Sequence, residues 1–348
     1  VDSVNPKISL GFMTCEITYS GLGFSEWTDA MAGKNQVDVK WRPGGGFYTD
    51  DQPCGIIWKA NSIGRQIAHL PKSVVDVQSE HENFPYQRLK KSVTCFQTEI
   101  AAYIGSGCTG TALNCMGMSS DPIEEYRPYF EAVKRCRGFF DKAVATFRRS
   151  DCEGLWTAST RDHIATLTLD SGDWPTGAFG GNLGMFGELC EIGLPSSYTA
   201  SGASIALLSG DTTLAFSPQE LRRILAGAVL MDGSALSRLN EMGLGGYTGF
   251  TVRTRKDHDT TEVFTGDSIN GRFPGWHRDC RPSFWPDACY LIAPSSEKSR
   301  VITELQDFTP TNYGASSGVF ENVLGGRVAV LGYCAWKSVY SLAKSSQL

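Results

Sequence analysis

The chain has 348 residues, 41% hydrophobic and 20% charged, with a mean hydropathy of −0.19, a balance that fits a folded globular protein and excludes a disordered or fibrous one. Its formal charge is −5, from 37 acidic and 32 basic residues, and basic runs such as Arg253-Thr254-Arg255-Lys256 are short, which excludes nucleic acid as an expected partner because tracking a phosphate backbone takes a basic stripe. No apolar run reaches the roughly 18 to 20 residues that a bilayer-crossing helix needs, so no membrane role is expected.

Two or three domains are expected at this length. The eleven cysteines are scattered without CxxC clips, and their odd number leaves at least one unpaired. That usage suits a reducing compartment, so a cytoplasmic location is expected, with the periplasm or secretion left open. The chain begins Val1-Asp2, without an initiator Met or a charged-then-apolar leader, and is read as a processed product or a fragment.

Along the first 150 residues, short apolar strands alternate with helix-compatible segments. Strands are expected at Ile8 to Met13, Val37 to Trp41, Val74 to Gln78 and Thr109 to Cys115, with a fifth at Gly154 to Ala158. Between the third and fourth, a helix of about Arg88 to Ile104 carries Leu89, Val93, Phe96 and Ile100 at helical spacing and stops at Gly105. A longer helical stretch runs from Glu125 to Phe147. Strand, helix and strand in succession imply parallel pairing and an α/β architecture.

Residues 165 to 185 are rich in Gly, Thr, Ser and Asp and read as a linker or covering loop. A second α/β unit follows, with strands at Ile205 to Leu208 and Val229 to Met231. The helix Glu220 to Ala226 opens on the capping box Ser217-Pro218-Gln219-Glu220, and another helix spans Ser234 to Met242. Beyond about residue 250, short alternating runs predict a β-rich domain ending in the strand Val328 to Tyr333.

The segment Val74 to Pro85 carries the most chemistry, because a β-branched strand runs into Glu80, His81, Glu82 and Asn83. If the strand persists, Glu80 and Glu82 point the same way, and two nearby carboxylates perturb each other's ionisation. A solvated loop with incidental charges is the alternative. Arg42-Pro43-Gly44-Gly45-Gly46-Phe47-Tyr48 and Asn114-Cys115-Met116-Gly117-Met118 are strand ends that open on the same face, where Arg42, Tyr48 and Asn114 offer donors to a hydroxyl-rich ligand. Tight-turn chemistry explains the same glycines. No Gly-Lys-Ser or Gly-Lys-Thr follows them, so a nucleotide site has no support.

Asp121-Pro122-Ile123-Glu124-Glu125 supplies a further carboxylate pair that also suits a helix first turn. Trp156 lies in the fifth strand and Arg161-Asp162-His163 follow it, yet no Gly-x-Ser-x-Gly elbow accompanies them. The five histidines are dispersed without HExxH. No cofactor is expected, and nothing argues for a metal.

Strands ending in Gly-Phe-Met-Thr, Arg-Pro-Gly-Gly-Gly-Phe-Tyr and Ser-Glu-His-Glu-Asn-Phe-Pro resemble the second half of a clan A glycoside hydrolase barrel. With Ile205 to Gly210, Val229 to Ala235, Leu239 to Gly245 and Gly325 to Leu331, the order is similar to that of family 42 β-galactosidases and related trimeric β-glycosidases, a β-mannosidase family among them. The resemblance implies three domains: residues 1 to 165 as the second half of a TIM (β/α)8 barrel, 166 to 250 as a flavodoxin-like α/β trimerisation domain, and 251 to 348 as a small C-terminal β-domain. It implies a retaining enzyme with two carboxyls about 5 to 5.5 Å apart, acting on β-galactosides or, as the alternative, β-mannosides.

On that resemblance Glu80 is the nucleophile, Glu82 is the second choice, and Glu124 and Glu125 stand in reserve under another register. Arg42, Tyr48, His81, Asn83, Asn114 and Trp156 are the expected substrate contacts. The implied partners are an oligosaccharide or β-glycoside, two further copies in a homotrimer, and an N-terminal half-barrel, from the same or an associated chain, that carries the acid/base Glu. A non-catalytic carbohydrate-binding or assembly protein on the same scaffold is the reading of another class.

Overall fold

A computed structural model describes residues 3–14, 23–117, 121–147, 152–160, 189–190, 193–256, 260–279 and 289–333. The chain groups into two compact units, Val1–Cys152 and Glu153–Leu348, where the sequence placed boundaries near 165 and 250.

In the first unit the order is β1 (Gly11–Thr14), α1 (Phe24–Ala32), β2 (Val39–Pro43), α2 (Gly55–Ala68), β3 (Val74–Glu82), α3 (Val93–Gly105), β4 (Gly110–Asn114) and α4 (Arg127–Thr146). The four strands lie side by side in chain order, all parallel. Successive βα units of this kind are the repeat of a (β/α)8 barrel, and the expected α/β class with a parallel sheet holds. Ile63 and Ile67 of α2 and Tyr103 of α3 pack with Trp41 of β2, Val74 and Val77 of β3, and Phe24 of α1. Trp41 meets Phe12 and Phe24 edge-on, at ring separations of 4.3 and 4.6 Å. Phe96, Ile100 and Ile104 of α3 form a second cluster with Tyr129 and Phe140 of α4.

Two elements differ from expectation. β3 does not stop at Gln78, because Gln78–Glu82 pairs residue by residue with Gly110–Asn114. Glu80 and Glu82 are therefore strand residues on one face. α3 begins at Val93 rather than Arg88, since the extended Ser92 accepts from the Cys95 N–H as an N-cap. Residues 88–90 form only a 3-10 turn, and Leu89 is 87% exposed rather than part of the apolar stripe.

The fifth expected strand, β5 (Gly154–Thr157), belongs to the second unit. It runs parallel to β6 (Ser196–Ser197) and β7 (Ala203–Leu208). Gly154 permits this approach, because a Cβ there would stand 2.1 Å from the Pro195 carbonyl oxygen. α5 (Pro218–Leu225) opens on the expected capping box, with Ser217 and Glu220 each bonding the other's main-chain N–H. β8 (Ala228–Asp232) and α6 (Gly233–Glu241) follow.

The rest of the second unit is β9 (Phe250–Lys256), β10 (Thr261–Phe264), β11 (His277–Asp279), β12 (Cys289–Pro294), β13 (Arg300–Gln306), β14 (Asn312–Glu321) and β15 (Arg327–Leu331). No break separates an α/β part from a β part near residue 250. β15 lies parallel to β8, Arg327 level with Ala228 and Leu331 with Asp232, so one nine-stranded sheet runs β11-β10-β13-β14-β15-β8-β7-β5-β6. β9 and β12 form a separate antiparallel pair. Leu208, Leu221, Val229, Met231, Leu236 and Val330 share one buried cluster drawn from both sides of that expected boundary. The expected linker at 165 to 185, with Arg161, Asp162 and His163, lies outside the described residues, as does Met118.

The corrected start of α3 is open to test. Ile100→Ala, at a site only 3% exposed, should cost about 2–5 kcal/mol in chemical denaturation. Leu89→Ala should stay within about 0.5 kcal/mol of wild type.

Candidate active site

Side chains of β3 alternate between two environments. Val77, Ser79 and His81 are buried on the face that the helices cover, whereas Asp76, Gln78, Glu80 and Glu82 are half-buried on the other. The second face is polar along its length. Lys40 pairs with Asp76 at 2.8 Å, and beyond it Arg42 Nη1 lies 3.4 Å from Glu80 Oε1. On the opposite side, Asn114 Nδ2 donates to Glu82 Oε1 at 3.5 Å. Because the strands are parallel, these contacts gather at their C-terminal ends, the rim where (β/α)8 proteins carry their chemistry. Arg42, Glu80, Glu82 and Asn114 are thus brought together as expected.

Tyr48 is 41% exposed, and its ring meets Phe84 edge-on at 5.8 Å; Phe84, 52% exposed, meets Tyr86 at 5.5 Å. This places Tyr48 in an aromatic run that follows directly from the end of β3. Phe84 and Tyr86 are not among the expected contacts, although the pattern Phe84-Pro85-Tyr86 after a charged strand end is visible in the sequence.

Two expected substrate contacts, His81 and Asn83, are corrected. His81 is fully buried on the helix side of β3, with Nε2 3.0 Å from Ser79 Oγ and Nδ1 3.4 Å from Glu99 Oε2. Strand alternation turns it away from the face that Glu80 occupies. Asn83 is 2% exposed, and its Nδ2 donates to the carbonyls of Gln87 and Cys115. It ties the segment after β3 to the end of β4 and offers no free donor there. Trp156 belongs to β5 of the second unit, where it packs edge-on against Phe216 at 6.1 Å and lines a concavity of about 390 Å³ with Ala206 and Arg223.

Of the reserve carboxylates, Glu125 lines a surface concavity with Tyr86 and Arg88. Glu124 and Glu125 lie in the 3-10 turn Ile123–Tyr126, where Glu125 Oε2 pairs with Arg88 Nη1 at 3.2 Å. Gly45 has a φ of +150° and packs over the stem of Lys59, so its lack of a Cβ serves that approach.

Behind β3 the structure holds a buried ionic network that the sequence reading did not find. Glu99 of α3 is 0% exposed and accepts from Lys91 Nζ at 2.7 Å and from the Tyr103 hydroxyl at 2.9 Å, while Lys59 Nζ of α2 stands 3.8 Å away. Burial acts to raise the Glu99 carboxyl, but His81, Lys91 and Lys59 outweigh it and hold the group below the ordinary carboxylate range. Burial pushes His81 down, against the pull of Glu99, which favours a neutral ring. Burial also lowers Lys59, against the pull of Glu99, Glu80 and Glu82. One signal was available: Glu99 sits within the apolar stripe Phe96, Ile100 and Tyr103, where a carboxylate needs a partner.

Among the described residues no group of three or more His, Cys, Asp or Glu could hold a metal ion. Among them, too, no helix is long and apolar enough to cross a membrane.

The fold has a counterpart among solved structures. The chain is similar in fold to exo-β-1,4-mannosidase Op5Man5 from Opitutaceae bacterium strain TAV5, with a TM-score of 0.52 and 9% identity. The likeness covers 90% of this chain and 59% of that one, so the chain spans a little under three fifths of that enzyme's length. At this identity the likeness shows a shared fold alone. No family model matches the chain, and no curated protein matches it.

The buried network makes stability depend on pH. A folded His81 with a depressed pKa binds its proton later than the unfolded imidazole near 6.5, and a folded Glu99 with a depressed pKa does the same below the unfolded value near 4.5. In both cases the unfolded chain takes up protons first, so stability is highest above about pH 6.5 and falls as the pH is lowered. The urea midpoint should drop between about pH 7.5 and about pH 5.5. In His81→Gln the drop over that window should be smaller, leaving the carboxylate-dependent loss at lower pH.

Proposed function

We propose that the protein is a retaining β-glycosidase whose nucleophile is Glu80. The observation that carries this reading is the placement of Glu80 at the C-terminal end of a parallel strand, its carboxylate 3.4 Å from Arg42 Nη1 and on the same face as Glu82. A carboxylate in this position attacks the anomeric carbon to form a glycosyl-enzyme intermediate, which water then hydrolyses. Arg42 orients the nucleophile through that contact. Asn114 and Glu82 form a donor and acceptor pair suited to sugar hydroxyls, and Tyr48, Phe84 and Tyr86 offer ring faces to the apolar side of a pyranose.

A retaining reaction needs a second carboxyl about 5 to 5.5 Å from the first, across the scissile bond. We assign that acid/base role to a Glu on other barrel strands, from the same or an associated chain. Between the two sugars considered, β-mannosides have the support of the fold neighbour's activity, and β-galactosides that of the family 42 resemblance. Trimerisation through the second unit is part of the same proposal and is tested by sedimentation at low concentration.

The decisive experiment is hydrolysis of aryl β-D-mannoside, galactoside, glucoside and fucoside by the intact protein. One sugar should be turned over, and Glu80→Gln should lower kcat by roughly a thousand-fold or more while calorimetry still detects the sugar. Glu82→Gln should be milder. Sugar binding without turnover of any substrate by the wild-type protein would instead support a non-catalytic carbohydrate-binding protein.

A further inference from the structure

The network behind β3 has one member that reaches the proposed nucleophile. Lys59 is 3% exposed, and its Nζ donates to the main-chain carbonyl of Glu80. Its stem is held by the glycine loop, where a Cβ on Gly45 would stand 3.3 Å from Lys59 Cγ, and its Nζ lies 5.1 Å from the Tyr103 ring centre. Lys91, also 3% exposed, bonds the other oxygen of Glu99 and lies 4.6 Å from the Phe47 ring centre.

Two buried lysines therefore share one buried carboxylate. A buried excess of positive charge is costly unless another anion faces it. Glu80 and Glu82, on the front of the strand whose back the lysines occupy, are the anions that do so.

We propose that Lys59 is a positioning residue for Glu80: it anchors the end of β3 through the Glu80 carbonyl and sets its ammonium, shared with Glu99, behind the strand end whose front carries the Glu80 carboxylate. The proposal rests on Glu80 being the nucleophile. The charged and titratable groups around the pair are Arg42 from β2, Glu82 and His81 from β3, Glu99 and Tyr103 from α3, and Lys91 from the turn preceding α3. Of these, only Lys59 bonds the Glu80 main chain.

The test is the pH dependence of kcat/KM on the aryl glycoside that the wild-type protein turns over, for the intact protein and its variants. Removing a cation from beside a carboxylate raises the pH at which the carboxyl ionises. Lys59→Met should therefore move the acidic limb of the profile upward by on the order of one pH unit and lower kcat about ten-fold or more. Lys59→Arg, which keeps the charge and displaces the donor, should lower kcat and leave the limb in place. Lys91→Met removes the same charge from Glu99 without touching Glu80, and should lower the urea midpoint and leave the profile unchanged.

A Lys59→Met profile superimposable on wild type, or an equal displacement in Lys91→Met, overturns the proposal. Should Lys59→Met not fold, Lys59→Arg decides: an acidic limb displaced from the wild-type position is the refuting result. A 2-deoxy-2-fluoro glycoside that labels the nucleophile keeps the two readings apart. Label on Glu80 together with an unmoved limb in Lys59→Met sinks the positioning role alone, whereas label on another residue sinks the assignment of Glu80 and the positioning role with it.

Discussion

The alternation of side chains along β3 is the constraint on which the first unit depends. With a period of two, a strand that carries Val77, Ser79 and His81 into the helix-covered side must carry Asp76, Gln78, Glu80 and Glu82 to the other. The register with β4 holds that alternation as far as Glu82. A slip of one residue would bury the four polar side chains and expose Val77, which is fully enclosed. The hydrophobic pattern and the chemical face are therefore fixed by the same pairing, and β2 repeats it, with buried Val39, Trp41 and Pro43 alternating with Lys40 and Arg42.

That arrangement leaves polar groups behind the sheet as well. Glu99, Lys59, Lys91 and His81 are all at or below 3% exposure, and burying such groups is tolerated only when each finds partners. Here Glu99 is the hub: it meets two ammonium groups, a phenol and an imidazole. An ionic cluster of this type adds little net stability over a well-packed apolar core, but removing one partner leaves another uncompensated. Its effect is directional, because it joins α2, α3 and the turn before α3 to the strand end that carries Glu80.

Much of this was legible in the sequence, for identifiable reasons. The four strands of the first unit announce themselves through short apolar runs, and Ser217-Pro218-Gln219-Glu220 marks a helix start that depends only on neighbours in the chain. Arg42, Glu80, Glu82 and Asn114 could be grouped because parallel strands bring their C-terminal ends to one rim. The failures share the opposite property. Gly154–Thr157 continues the local rhythm of the first unit, yet its partner is β7, whose pairing begins at Ala203. Local pattern cannot say which sheet a strand joins. The burial of Lys59 and Lys91 is likewise set by what packs over them, namely Gly45, Phe47 and Tyr103.

The polar rim also bears on which ligands suit it. A pyranose presents hydroxyls around its edge and apolar C–H groups on a face, so a site for it needs donors, acceptors and an aromatic surface close together. The end of β3 and its neighbours supply all three: Arg42 and Asn114 donate, Glu82 accepts, and Tyr48, Phe84 and Tyr86 meet in edge-to-face contacts. A phosphorylated or strongly anionic substrate suits it poorly, since Asp76, Glu80 and Glu82 all face the same side while Lys40 and Arg42 are already engaged with two of them. The proposed neutral, hydroxyl-rich ligand is one that this charge pattern suits.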